Sequence, residues 1–172
     1  MKSPEEIISI VQIISPLGVI LAGATKEGVC FLEFSEERIP EEQSSRLRKW
    51  FGAELIESEN IYLAQLNNQL NEYFNRRRKQ FDIPLVLTGT LFQKSAWQAL
   101  QNIPYGQTQS YKQQAAVIGK PKAVRAVGTA NGANRISIII PCHRVIAENG
   151  TLAGYGGGIW RKQFLLDLEK SP

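Results

Sequence analysis

The 172-residue sequence is poor in the residues that build stapled or metal-held folds. It has two cysteines, Cys30 and Cys142, one histidine, His143, and one methionine. Two thiols cannot make a disulfide framework, which excludes a small stapled secreted fold. Two Cys and one His fall short of the usual four-ligand zinc set, and no carboxylate spacing completes one. Acidic residues are scarce in the second half. Residues 88–172 hold ten Lys+Arg against three Asp+Glu, net +7, whereas residues 1–87 hold ten against thirteen, net −3. A basic half joined to a mildly acidic one suits a polyanionic partner, although a solvated basic face has the same composition. A long uninterrupted apolar run is also missing. The uncharged stretch 7–24 is broken by Pro16 and Gly18 and diluted by Ser9, Gln12 and Ser15, short of the ~20 apolar residues of a spanning helix. Glu5 and Glu6 stand where a signal peptide would be basic. The chain reads as soluble and intracellular, with no membrane association.

Hydrophobic residues make up 43% of the chain, an ordinary globular share for one domain or two small ones. The β-branched run Ile7, Ile8, Ile10, Val11, Ile13 and Ile14 predicts a strand. The turns Ser15-Pro16-Leu17-Gly18 and Lys26-Glu27-Gly28 then separate it from strands at 19–24 and 29–34, giving an antiparallel meander. Two helices follow, at 41–51 and 61–74, the second with Leu63, Leu66, Leu70 and Phe74 on one face. The run Arg76-Arg77-Arg78-Lys79 reads as a solvated helix end. The expected division is an N-terminal α/β domain at 1–80, a linker at 81–89 that contains Pro84, and a mostly helical domain at 90–172.

In that second domain, Thr90-Leu91-Phe92-Gln93 and Ser110-Tyr111-Lys112-Gln113 each fit a capping box. The first predicts a helix to about Asn102, ended by Pro104-Tyr105-Gly106. The second predicts a helix to Ile118, stopped at Gly119. Pro121 suits the first position of a third helix running from about Lys122 to Asn131. Two short helices around Gly119-Lys120-Pro121 have helix-turn-helix spacing, and the later one is the candidate recognition element. The apolar run 136–140 predicts a buried strand. It leads to Pro141-Cys142-His143-Arg144-Val145, a glycine-rich loop at 154–158 and a final helix at about 160–169.

The one histidine is adjacent to a cysteine. A thiolate is the nucleophilic form of cysteine, and a neighbouring imidazole is a candidate base. Adjacent residues on a strand point to opposite faces, so a direct bond is awkward; a bridging water or a local turn removes the objection. A buried structural Cys beside a satisfied His remains the plainer reading of the dipeptide alone.

The surrounding motifs extend that reading. Ile138-Ile139-Ile140-Pro141-Cys142-His143-Arg144-Val145 resembles the active-site signature of O6-alkylguanine-DNA alkyltransferases, also called methylated-DNA–protein-cysteine methyltransferases. Further stretches resemble the family in its order. They are Gly89–Gln93 with Trp97, Ile103–Gly106, Ser110-Tyr111, Ala123–Gly128, Asn134, Gly154–Gly157 and Leu165–Glu169. The resemblance covers about 88–170 closely and 15–34 more loosely. It implies an α+β two-domain protein, with a ribonuclease-H-like α/β domain of antiparallel strands and a helical helix-turn-helix, winged-helix-like domain. The implied reaction is irreversible, stoichiometric transfer of an alkyl group from O6-alkylguanine, less so O4-alkylthymine, in duplex DNA to Cys142. It uses no cofactor and no metal, and each molecule acts once.

The resemblance also implies roles. Cys142 is the acceptor, His143 its base through a water, and Glu169 the residue that orients His143. Tyr155 donates toward guanine O6, while backbone groups of Cys142 and Val145 read the guanine edge. A base inside a duplex must leave the stack before it reacts. Tyr111 is implied to push the nucleotide out and Arg125 to fill the gap, with Ala123, Ala126 and Thr129 on a helix that approaches the minor groove. Asn134 ties the helix-turn-helix to the active-site segment. Three positions depart from the pattern: Arg135 where Pro is common, Ser137 at a pocket position that is Pro in some members, and Gly156 where some members have Ser. Ser137 and Gly157 then line the pocket mouth. Cys30 reads as a small buried apolar residue. A monomer in the cytoplasm, or the nucleus of a eukaryote, is expected, with damaged double-stranded DNA as partner. Three other readings compete: a lesion-binding module without transfer, a plain helix-turn-helix DNA-binding protein, and a Cys–His hydrolase. The presence of Cys142 opposes the first. The hydrolase lacks its usual orienting partner and spacing.

Overall fold

The computed structural model describes residues 6–171. The chain divides into two compact units, one up to Thr88 and one from Gly89.

The first unit is built on a sheet of order β3-β2-β1-β4, with β1 Glu6–Ser15, β2 Gly18–Ala24, β3 Val29–Phe34 and β4 Ala53–Glu57. The first three strands form the expected antiparallel meander. The Pro16-Leu17 turn is held by Ser15, whose Oγ donates to the Gly18 carbonyl (2.8 Å) and accepts from Leu17 N–H (3.1 Å). Gly18 sits at φ 95°, a region open to glycine at little steric cost. The sequence reading missed β4, which pairs parallel to β1. Its five residues include two glutamates and follow directly on a helix, so neither length nor alternation announces it.

Helices α1, Glu41–Phe51, and α2, Ile61–Phe74, fall where the periodicity puts them. Leu47 of α1 is fully buried with Ile8, Ile10, Leu21 and Phe31. The α2 helix begins at Asn60, whose Oδ1 accepts from the N–H groups of Tyr62 and Leu63. Its buried face is Leu63, Leu66, Leu70 and Tyr73; the aromatic that faces inward is Tyr73 rather than Phe74. In the basic run after α2, Arg78 pairs with Glu72 (2.6 Å), while Arg76 and Arg77 are exposed. The 81–88 stretch is extended, and Leu85 bridges to Val29.

The second unit is mostly helical: α3 Leu91–Gln101, α4 Tyr111–Val117, α5 Val124–Gly132 and α6 Ile159–Lys170. Two short strands, β5 Gln109–Ser110 and β6 Val145–Ile146, pair in parallel. Both expected capping boxes are present, at Thr90/Gln93 and Ser110/Gln113. Two expectations need correction. The α5 helix starts at Val124, not at Lys122, because Pro121 and Lys122 form a turn closed by Ala123 N–H donating to the Lys120 carbonyl (2.8 Å). Residues 136–140 are not a strand. Ile139 N–H donates to the Ser137 carbonyl and Ile140 N–H to the Ile136 carbonyl, a chain of tight turns in which Ile138 has φ 72°. Asn134 makes this possible. Its Oδ1 accepts from Ile136 N–H and its Nδ2 donates to the Ile140 carbonyl, both at 2.9 Å. One side chain thus supplies hydrogen bonds that a neighbouring strand would otherwise provide.

Among the described residues no helix is long and apolar enough to cross a membrane.

Candidate active site

Cys142 opens a 3₁₀ turn, Cys142–Arg144. The turn breaks the opposed-face geometry of a strand, so Cys142 and His143 serve two adjoining sites. Cys142 is partly exposed and lines a cavity of about 290 Å³ together with Tyr111, Gly128, Asn131, Tyr155 and Gly156. His143 is fully buried behind it.

Three side chains form an ionic network on that buried side. His143 Nε2 lies 2.8 Å from Glu169 Oε1. Arg144 holds the same carboxylate with two donors, Nε to Oε2 (2.9 Å) and a terminal nitrogen to Oε1 (2.8 Å). A fork of this kind is among the strongest charge-assisted contacts. The other terminal nitrogen of Arg144 donates to the Ile103 carbonyl (2.7 Å), and the guanidinium lies 5.8 Å from the Tyr105 ring centre. At Gly106, φ 79°, an added Cβ would stand 3.0 Å from the Glu169 carbonyl oxygen. The Ile103–Gly106 segment is therefore the cradle of the Arg144–Glu169 pair.

The network fixes the protons. Burial alone raises the Glu169 pKa, but the hydrogen bonds from His143 and Arg144 outweigh it and hold the carboxyl at about 2. Glu169 is thus an anion that only accepts, so His143 carries its proton on Nε2. Its Nδ1 is then a lone pair, buried and without a hydrogen-bond partner among the described residues. Burial also pulls the His143 pKa down, against the opposing pull of Glu169, which keeps the ring neutral and basic near pH 7. Burial pushes the Cys142 thiol up, partly offset by Asn134, whose Nδ2 lies 3.3 Å from Sγ, and by the charge of Lys162. The thiol rests protonated beside a neutral base. Cys30 differs: burial raises it to about 12, opposed by backbone hydrogen bonds alone, and the charge of Glu6 adds to the rise.

Lys162 is fully buried. Its Nζ donates to the carbonyls of Val145 (2.6 Å), Ala153 (3.0 Å) and Gly154 (3.3 Å). Tyr111 OH donates to the same Ala153 carbonyl (2.9 Å). Together they hold the glycine-rich loop against the cavity. Tyr155 stays a protonated phenol, because burial and the nearby Cys142 raise its pKa well above 10, while a hydrogen bond with Ser137 lowers it.

The chain matches two family descriptions in succession: "6-O-methylguanine DNA methyltransferase, ribonuclease-like domain" over residues 12–87, and the "DNA binding domain" of the same family over 91–171. A methylated-DNA–protein-cysteine methyltransferase of Methanosarcina barkeri is 44% identical over 157 residues, covering 91% of this chain and 94% of the relative. The chain belongs to the 6-O-methylguanine DNA methyltransferase family. Among solved structures, the O6-methylguanine methyltransferase of Mycobacterium tuberculosis superposes with TM-score 0.80 at 41% identity, covering 96% of this chain and 95% of that one. The M. tuberculosis OGT crystallised in complex with DNA superposes with TM-score 0.79 at 40% identity, covering 95% and 92%. The two-unit architecture is therefore that of the family.

The structure gathers Cys142, Tyr155, Gly156 and Tyr111 at one cavity, with His143 and Glu169 directly behind. Ser137, Val145 and Gly157 are not among the residues that line it; Ser137 bonds to the lining residue Tyr155, while the carbonyls of Val145 and Gly157 accept from Lys162 and Arg161. Ala123, Arg125, Ala126 and Thr129 line a separate groove of about 600 Å³ along α5 with Phe92 and Lys122. Arg125, Ala126 and Thr129 are exposed. The sequence reading passed over Arg144, Lys162 and Asn131. Arg144 sits inside the signature pentapeptide, but its partner is 25 residues away. Lys162 looks like any helical lysine; only its burial distinguishes it. No local pattern signals either.

Proposed function

We propose that this chain repairs DNA by moving the alkyl group of O6-alkylguanine onto Cys142, once per molecule. The observation that carries the reading is the geometry of the buried network: His143 Nε2 on Glu169 Oε1 at 2.8 Å and Nδ1 without a partner among the described residues, next in the chain to a thiol that lines an open cavity. The thiol proton passes through a water to His143 Nδ1. The resulting imidazolium is stabilised by Glu169, already anionic. Sγ attacks the alkyl carbon, the S–C bond forms and the C–O6 bond breaks, and guanine leaves with the electron pair. Tyr155, a phenol that keeps its proton, donates to O6 as that charge develops. Lys162 adds a fixed positive charge near Sγ. The thioether product cannot ionise, so the acceptor is consumed.

Duplex DNA is the substrate form, and the target base is flipped into the cavity. Tyr111 stands at the cavity edge to displace the nucleotide, and Arg125, exposed on α5, fills the space left in the stack. Carbonyls of Cys142 and Val145, each already accepting one bond, keep a second lone pair for the guanine amino group. Gly156 lines the mouth, Ser137 supports it through Tyr155 and Gly157 through its bond from Arg161, and Asn134 steadies the thiol. The protein acts as a monomer in the cytoplasm or nucleus. The test is Cys142→Ser: transfer from an O6-methylguanine duplex should vanish while affinity for that duplex stays within about threefold, since no DNA contact is removed. Retained transfer refutes the assignment of the acceptor.

A further inference from the structure

Helices α4 and α5 meet at two levels. At the cavity, the ring of Tyr111 lies against Gly128, where an added Cβ would stand 3.8 Å from the ring carbons. Three residues on along both helices, Gln114 and Asn131 exchange two hydrogen bonds. Gln114 Nε2 donates to Asn131 Oδ1 (2.9 Å), and Asn131 Nδ2 donates to Gln114 Oε1 (2.8 Å). Gln114 is fully buried and Asn131 nearly so. Gln114 Nε2 also donates to the Ala96 carbonyl of α3 (3.2 Å). Asn131 is itself part of the cavity wall beside Cys142.

Two buried amides are an expensive way to fill a helix interface. Apolar side chains of similar volume would fill it without the desolvation cost. What the amides add is direction. Two opposed N–H···O bonds close at one axial offset and one rotation of α4 against α5, whereas leucine against leucine tolerates sliding. The shared three-residue spacing carries that offset rigidly over about 4.5 Å, at roughly 1.5 Å per residue, to Tyr111 and Gly128.

We propose that the Gln114–Asn131 pair is a register pin that positions Tyr111 and the α5 wall for entry of the flipped base. The inference rests on the alkyl-transfer reading. Both residues are positioning residues: they act through where they hold Tyr111 and the wall, not on the reacting atoms. Releasing the register should therefore harm transfer from a duplex, which needs flipping, more than transfer from free O6-methylguanine, which does not.

The experiment compares single-turnover transfer from an O6-methylguanine duplex and from the free O6-methylguanine base, alongside the melting temperature. The full-length variants are Gln114→Leu/Asn131→Leu and the exchanged pair Gln114→Asn/Asn131→Gln. The dileucine variant should melt at or above the wild-type temperature. Its duplex-to-free-base rate ratio should fall about tenfold or more, since a ~1 Å misplacement costs up to about 10²-fold. The exchanged pair keeps both hydrogen bonds at the same summed length and should restore the ratio to within about threefold. If the dileucine variant does not fold, Gln114→Met, which removes the pin from one side, must lower the same ratio. A folded variant without the amide pair that keeps the wild-type ratio overturns the proposal. A wild-type protein that transfers from neither substrate overturns the alkyl-transfer reading, and this inference with it.

Discussion

Glu169→Gln isolates the energetic centre of the second unit. The carboxylate is 4% exposed and receives one His143 and two Arg144 hydrogen bonds. Its carboxyl is brought from 4.5 down to about 2, which at 1.36 kcal/mol per pKa unit is worth roughly 3 kcal/mol of folded-state stability at neutral pH. Glutamine keeps the shape but presents an NH₂ where donors from His143 or Arg144 already point. It also leaves the Arg144 charge buried without a counter-ion. Breaking a buried pair from one side costs about 3–5 kcal/mol, consistent with the linkage figure. Urea unfolding of the full chain at pH 7 should show a loss of about 3 kcal/mol. The sign of the pH dependence follows from the depressed pKa. The stabilisation is complete above about 4.5 and is lost as pH falls toward 2, so the gap between wild type and variant should narrow across that window. A loss below about 1 kcal/mol at pH 7, or a gap that stays constant into acid, refutes the network as described.

Two further outcomes follow from the site. Burial holds the His143 pKa below its ordinary 6.5, and protonation removes the Nδ1 lone pair. Single-turnover transfer should therefore be flat from pH 8 to about 6.5 and decline only below that; a decline already between pH 8 and 7 contradicts a neutral His143 base. Arg125→Ala should slow transfer from a duplex by about tenfold or more while sparing transfer from the free base. Equal losses on both substrates would remove Arg125 from base flipping.

The elements legible in the sequence were those with local signals. The β-branched run of β1, the apolar face of α2 and the two capping boxes each declare themselves within about a dozen residues, and each is where the pattern put it, except that Tyr73 takes the place of Phe74 on the α2 face. β4 was not legible, because five residues with two glutamates gain their strand character from the parallel partner β1. The 136–140 segment misled for a related reason. Its isoleucines read as a strand, but Asn134 takes the hydrogen bonds and bends the chain into turns. At the site, the Cys142-His143 dipeptide was visible as chemistry and the family resemblance supplied Glu169 as its partner, whereas the Arg144 fork that holds the Glu169 carboxylate was not visible. That depends on Arg144 and Glu169 meeting 25 positions apart and on the Ile103–Gly106 cradle around them. Lys162 and the Gln114–Asn131 pair are polar residues whose roles come from burial, and burial of a helical lysine or amide leaves no mark on the local pattern.

The most direct test of the central claim is the intact mass of the protein after incubation with excess O6-methylguanine duplex, followed by peptide mapping. The account predicts a gain of one methylene, located on the peptide that contains Cys142 and stopping at one per molecule. No gain, a gain on another residue, or continued turnover without a modified protein would contradict it.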